Sequence, residues 1–278
     1  MNRSLYLLLL LSYFLTACED LGADINVEPG ESKIVLVGFI APSDTMIRIN
    51  VSQTQPLLGD LLDATIRNAK VTISDGLTTD TLVFSQEELN YISYKKIHGG
   101  THYIIRAELP DGRWAEAECT TPDDVPLDFR YTIDSVVNGN TIEYTVKMNW
   151  TDSSTSPVTY YRTDAEMYYL IVDTINQHYE YITTELKPDV PEIGLGKGFN
   201  SQMEVVYKSN FETRNIEKFL ELHLLMIDED YYKFEKEKKN NYSGFPNYEY
   251  TKLYSNVKNG YGIVASYNNY VLKSLNVY

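Results

Sequence analysis

Ala69-Lys70-Val71-Thr72-Ile73-Ser74-Asp75-Gly76 alternates apolar with polar residues and then stops on a turn dipeptide. Successive side chains of an extended chain point to opposite faces, so this pattern puts Val71 and Ile73 on one buried face. Asp-Gly supplies the left-handed conformations of a tight hairpin turn. Working outward, Met46-Ile47-Arg48-Ile49-Asn50-Val51-Ser52 repeats the alternation, and Lys33 to Ile40 is a continuous β-branched run. Thr81 to Phe84, Tyr103 to Ala107 and Arg113 to Cys119 read the same way, with Gly99-Gly100 and Asp111-Gly112 as punctuation. Short strands between turns at this spacing predict an Ig-like or transthyretin-like antiparallel β-sandwich over residues 33–121.

Thr120 to Pro126 carries two prolines and two acids and reads as a linker. Residues 127–278 then predict a second β-rich domain. Ile142 to Trp150 alternates cleanly, and further strands are expected near Met167 to Asp173, Tyr179 to Thr183, Met203 to Tyr207 and Phe219 to Ile227. One short helix is expected near 229–239: Asp228-Glu229-Asp230 caps it and Lys236, Lys238 and Lys239 suit its carboxyl end. Tyr231, Phe234 and Lys238 would share its buried side, and Asn240-Asn241 would end it.

The amino-terminal residues carry an address. Arg3 followed by the Leu-rich stretch Leu5 to Leu15 has the layout of a signal peptide over residues 1–17. It is shorter than the roughly 20 apolar residues a membrane helix needs. Leu15-Thr16-Ala17-Cys18 fits a bacterial lipobox, which predicts lipidation of Cys18 and a membrane partner reached through that lipid. Residues 18–32 then form a lipidated tether, with Glu19-Asp20 placing acid directly behind the cysteine. The expected location is the outer membrane, on the cell surface or the periplasmic face. With Cys18 lipidated, Cys119 has no intramolecular disulfide partner, so the core must hold the fold. A formal charge of −15 argues against nucleic acid and anionic lipid as partners, since both need a basic patch.

The residues do not assemble a known catalytic motif. Gly-x-Ser-x-Gly, Ser-x-x-Lys with a KTG-like element, and a phosphate-cradling glycine loop are all missing. His98 and His102 flank Gly99-Gly100, which disfavours a helix carrying both as metal ligands. Cys119 shares a strand face with Ala115 and Ala117 and reads as a small buried residue. No catalytic residue, metal site or cofactor is expected. Tyrosine is abundant, with 24 residues, as suits either binding surfaces or strand edges. Trp150 falls with Tyr144, Val146 and Met148 and reads as core. Trp114 lies on the face of Glu116 and Glu118, either as an exposed contact or packed between domains. The triplets Asp44-Thr45-Met46, Asp80-Thr81-Leu82, Asp134-Ser135-Val136 and Asp173-Thr174-Ile175 resemble O-glycan acceptors of exported proteins.

Several of these stretches, taken in order, resemble a known pattern. They are the lipobox, the Lys33 to Ile40 strand, Asn68 to Gly76, Gly99 to Ile105, Ile133-Asp134-Ser135-Val136, Asp230-Tyr231-Tyr232 and Tyr254-Ser255-Asn256-Val257-Lys258-Asn259-Gly260-Tyr261-Gly262-Ile263. The chain is similar to the Bacteroidota lipoproteins known as domain of unknown function 4249. That resemblance implies a TonB-dependent outer-membrane receptor as partner and brings neither a ligand nor a catalytic residue. Phe245-Pro246-Asn247-Tyr248-Glu249 and Val264-Ala265-Ser266 depart from its usual pattern. Asn259-Gly260 would turn a closing hairpin between Leu253–Val257 and Tyr261–Tyr267, or form a ligand loop. Trp114, Tyr254, Asn256, Gly260 and Tyr261 are the contact candidates. The expected function is a non-enzymatic accessory or substrate-capturing partner of such a transporter. The alternatives are a stand-alone glycan-binding or adhesion lipoprotein, and a hydrolase with an unrecognised acidic site.

Overall fold

The computed structural model describes residues 31–55, 63–123, 128–138, 141–151, 159–173, 178–186, 193–195, 203–210, 216–242 and 253–276. The described residues from Ser32 onward belong to one compact unit. The fold is mainly β, with one large sheet and one short helix. The strands are β1 (Ile34–Ile40), β2 (Ile47–Gln53), β3 (Lys70–Ser74), β4 (Thr79–Ser85), β5 (Asn90–Ser93), β6 (His102–Glu108), β7 (Trp114–Thr120) and β8 (Asp128–Asn138). They continue with β9 (Thr141–Thr151), β10 (Tyr160–Asp173), β11 (His178–Leu186), β12 (Ile193–Leu195), β13 (Met203–Asn210), β14 (Ile216–Ile227) and β15 (Gly260–Asn276). The helix α1 (Glu229–Tyr242) lies between the last two. The large sheet runs β11-β10-β14-β15-β1-β2-β5-β4-β3-β6-β7, with β12 on β10, and β13-β9-β8 form a smaller sheet.

The alternating runs become the sandwich. β4 pairs with β3 through Thr79 to Leu82 and with β5 through Val83 to Ser85, so the sheet folds over along this strand. Leu36, Ile49, Val71, Ile73, Ile105, Ala115 and Ala117 meet between the two layers and are sealed from solvent. Each buried aliphatic side chain contributes roughly 1.5–3 kcal/mol, which is enough to hold a disulfide-free core. Cys119 lies in the same core as a free thiol, on the face of Ala115 and Ala117, as its alternation predicts. Two core tyrosines explain part of the tyrosine content. The Tyr91 hydroxyl accepts the Ala69 N–H at 2.8 Å and the Tyr103 hydroxyl accepts the His98 N–H at 2.8 Å. Each ring is buried while its hydroxyl satisfies a loop backbone. Trp150 is also buried, edge-on to Tyr161 at 5.4 Å.

The expected hairpin at Asn259-Gly260 does not form. Residues 253–257 are not a strand, and β15 instead runs parallel to β1, from Ile34 opposite Gly260 to Ile40 opposite Ser266. Beyond Ser266 the same strand pairs antiparallel with β14, from Tyr267 opposite Ile227 to Asn276 opposite Phe219. One strand thus joins strands from both expected segments into one sheet. The reason is steric. Asn259 has φ 56° and turns the chain toward β1, where Gly260 and Gly262 follow. A Cβ on Gly260 would meet the Ile34 carbonyl oxygen, and one on Gly262 would collide with the Leu36 carbonyl. Only glycine permits that approach, and Gly262 also has φ 113°.

Ile263 and Ala265 then meet Phe39, Leu225, Ile227 and Tyr231 under α1, while Val264 faces the sandwich core. Burial on both faces is why Ile263-Val264-Ala265-Ser266 lacks alternation. The helix begins where its cap predicts and ends at Tyr242, past Asn240-Asn241. Its buried side differs from expectation: Lys238 is exposed, and Glu235 is buried beside Tyr231. Glu235 is tolerated there because Arg162 reaches within 3.8 Å of its carboxylate.

Gly262→Ala is expected to destabilise the protein by about 2–4 kcal/mol through positive-φ strain and the clash with Leu36. Urea denaturation of the variant against the parent measures it; an unchanged midpoint would show that β15 does not need this glycine.

Candidate functional site

Where β14 ends at Ile227, the edge of β15 that faces away from β1 loses its strand partner. Two side chains replace it. The Asp228 N–H donates to the Ser266 carbonyl at 3.0 Å, and the Asp228 carboxylate accepts the Ser266 N–H at 2.7 Å and its hydroxyl at 2.8 Å. Two residues earlier, the Asn256 amide accepts the Val264 N–H at 3.0 Å and donates to the Val264 carbonyl at 2.7 Å. A planar carboxamide carries one donor and one acceptor side by side, which is the pattern a strand residue offers. Asn256 also donates to the Glu118 carbonyl at 3.1 Å and to Asp230 at 3.1 Å. It therefore ties β7, the first turn of α1 and β15 together.

Asp228 and Asp230 have separate duties. Asp228 accepts the Tyr231 N–H at 2.8 Å, which caps α1, and Asp230 accepts the Tyr254 hydroxyl at 2.5 Å. Burial pushes the Asp228 carboxyl up to about 6, against the hydrogen bonds from Tyr231 and Ser266. The Tyr254 phenol is raised by burial and by its hydrogen bond to Asp230. Cys119 is raised as well, first by burial and then by the nearby Asp228 charge, so its thiol keeps its proton.

On the β7 side, the Glu116 and Lys258 backbones exchange both hydrogen bonds, at 3.1 and 2.7 Å. The Lys258 ammonium pairs with Glu118, which holds that carboxyl below its usual range. His102 turns to the same strand, with Nε2 3.2 Å from Glu118 and Nδ1 3.1 Å from the Thr120 hydroxyl. His98, by contrast, is exposed. Between these groups opens a cavity of about 760 Å³, walled by the end of β7, residues 121–123, Thr159-Tyr160, the β14–α1 junction and the segment around Tyr254 to Lys258.

The sequence-predicted contacts separate here. Tyr254 and Asn256 line the cavity. Gly260 is the close-approach position against β1, and Tyr261 stands 42% exposed on the opposite side of β15 from Val264. Trp114 is half-buried on the outer face of β7, with the Arg106 guanidinium 4.2 Å above its ring. Cys18 lies outside the described residues. Asp123, Thr121 and the second role of Asp228 were not singled out by the sequence reading. The Asp228-Glu229-Asp230 run signalled a cap, but its partners Ser266 and Asn256 are distant in the chain.

The sequence model of a family described as a domain of unknown function, DUF4249, matches residues 21–272. The chain belongs to the DUF4249 family. No protein of curated function matches it. The DUF4249 match covers the strands of the large sheet from β1 to most of β15, including Asn256, Gly260 and Gly262.

Asn256→Ala strips the Val264 N–H and three acceptors of their partner, and is expected to lower stability by about 2–3 kcal/mol. Asn256→Asp should be no better, because a carboxylate cannot donate to Val264 or Asp230; recovery of stability in that variant, read by urea denaturation, would contradict the assignment. Asp228 gives a pH signature. Its carboxyl holds a proton more tightly folded than unfolded, so the stability it contributes is full below about pH 4 and is lost as pH rises through about 6. Relative to Asp228→Asn, whose amide does not titrate, the parent should lose about 2–3 kcal/mol between pH 4 and pH 7. A parent-minus-variant difference that stays flat across that range would refute it.

Proposed function

We propose that this DUF4249 chain is an outer-membrane lipoprotein, anchored through acyl chains on Cys18, that acts as a non-enzymatic accessory or substrate-capturing partner of a TonB-dependent transporter. The observation that carries the anchoring is Leu15-Thr16-Ala17-Cys18 at the end of a Leu-rich stretch, followed by a short acidic tether before β1. Stable peripheral attachment takes more than one acyl chain, which a lipobox cysteine provides. The receptor partner rests on the resemblance to DUF4249 lipoproteins.

The state of the cavity favours binding over catalysis. A general acid or base needs a titratable group free to exchange a proton with substrate. Here Asp228 caps a helix and replaces a strand, Asp230 holds Tyr254 and Asn256, and Glu118 holds Lys258, while the two remaining wall carboxylates, Asp123 and Glu229, are exposed to solvent rather than set in a water-excluded pocket. Cys119 is protonated and buried, so it is no nucleophile. Tethering would raise the effective concentration of such a binder over its receptor without any new contact between them.

Two measurements test the proposal. Cys18→Ala should move the protein from the membrane fraction to the soluble fraction and abolish incorporation of labelled fatty acid. The tagged parent should co-purify a receptor barrel from detergent-solubilised outer membranes, and Cys18→Ala should recover less of it. A monomer recovered without any barrel, yet retained on glycan arrays, would establish the stand-alone glycan-binding alternative instead.

A further inference from the structure

The cavity beside α1 has an unbalanced set of polar groups. Its wall carries five carboxylates, Glu118, Asp123, Asp228, Glu229 and Asp230, against one lysine, Lys258, and one histidine, His102. Most of the wall's donors already have partners. Tyr254 gives its hydroxyl proton to Asp230, the Asn256 amide gives its two protons to Val264, Glu118 and Asp230, and Lys258 and His102 both turn to Glu118. Acceptor capacity remains. A carboxylate accepts about four hydrogen bonds, whereas Asp123 receives none from a described residue and Glu229 meets only Lys233, at 2.9 Å.

Two observations independent of the charge point the same way. Thr121 belongs to the cavity wall and is 1% exposed, yet its buried hydroxyl has no hydrogen-bond partner. A buried hydroxyl left unpaired calls for a partner, which a molecule bound in the cavity would supply. Tyr160 and Tyr254 also line the cavity, and Lys233 already places its ammonium 5.6 Å from the Tyr254 ring centroid. An aromatic face attracts cations. A bare metal ion fits poorly, because no three His, Cys, Asp or Glu groups among the described residues converge on one point. A neutral polyol fits less well, since it would leave the excess of carboxylates over Lys258 and His102 unmatched.

We propose that this cavity binds a small organic cation carrying an ammonium or guanidinium group, whose N–H groups bond to Asp123 and Glu229 and whose body lies against Tyr160. A volume of about 760 Å³ holds a molecule of metabolite size. The inference does not depend on a receptor partner.

The test is calorimetry on the purified full chain with agmatine as the probe, and glucose, succinate and calcium chloride in parallel. Agmatine should bind, and added sodium chloride should weaken it. The double variant Asp123→Asn/Glu229→Gln should lose about tenfold or more in affinity, as expected for two charge-assisted hydrogen bonds. Both residues are exposed, so the thermal midpoint should hold; if the double variant unfolds, Glu229→Gln alone is read the same way. Equal affinity in the variant, no heat with agmatine at roughly millimolar concentration, or tighter binding of glucose or calcium would each overturn the proposal. A receptor that co-purifies with a protein indifferent to agmatine would leave the accessory role standing and remove this one.

Discussion

The structure depends on how β15 is held. A strand inside a sheet must satisfy two edges and two faces, and β15 meets these demands with a different partner at nearly every position. β1 takes one edge in parallel, made possible by Gly260 and Gly262. β14 takes the other edge as far as Ile227, and Asp228 and Asn256 take over from there. The sandwich core covers one face and α1 the other. An unpaired buried N–H or carbonyl weakens a fold by roughly 1–3 kcal/mol. Two polar side chains placed as strand surrogates therefore count for as much as a substantial piece of hydrophobic core.

How much of this was legible in the sequence follows the range of each interaction. Alternation is local, so the runs that became β1, β2, β3, β4, β6, β7 and β9 stood out, as did the capped helix and the buried fates of Cys119 and Trp150. β5 is only Asn90–Ser93 and too short for a period to register. The segment from Tyr254 to Ile263 is distinctive in sequence, but Asn-Gly is a strong local turn signal and predicts a hairpin there. Its true partners, Ile34, Leu36, Glu118 and Asp230, lie far off in the chain, and no local pattern encodes parallel pairing across such a distance. Glu235 was missed for the same reason, since its burial depends on Arg162 of β10.

The polar cluster around Asp228, Asp230 and Asn256 lines the cavity, yet its atoms are engaged in holding the fold. Groups engaged in holding a fold are poor chemists, because any proton they lend to a substrate is withdrawn from a structural bond. They make a rigid frame instead. The carboxylates at its rim, Asp123 and Glu229, are exposed, and Glu229 makes only an exposed ion pair with Lys233, which contributes little to stability. Scaffold and specificity are thus divided by depth within one site.

The parallel pairing of β1 with β15 also sets the order of assembly. A chain is synthesised from its amino end, so the residues of β1 emerge early and then wait for Gly260 to Ser266, with nearly the whole described chain in between. Until those residues arrive, the sandwich has an open edge at its first strand, and Asp228 has no serine to grip. Contacts of such long range make folding slow and late. The first strand of the sandwich is thus completed by nearly the last described segment of the chain, so the β1 edge is closed only once that segment is made.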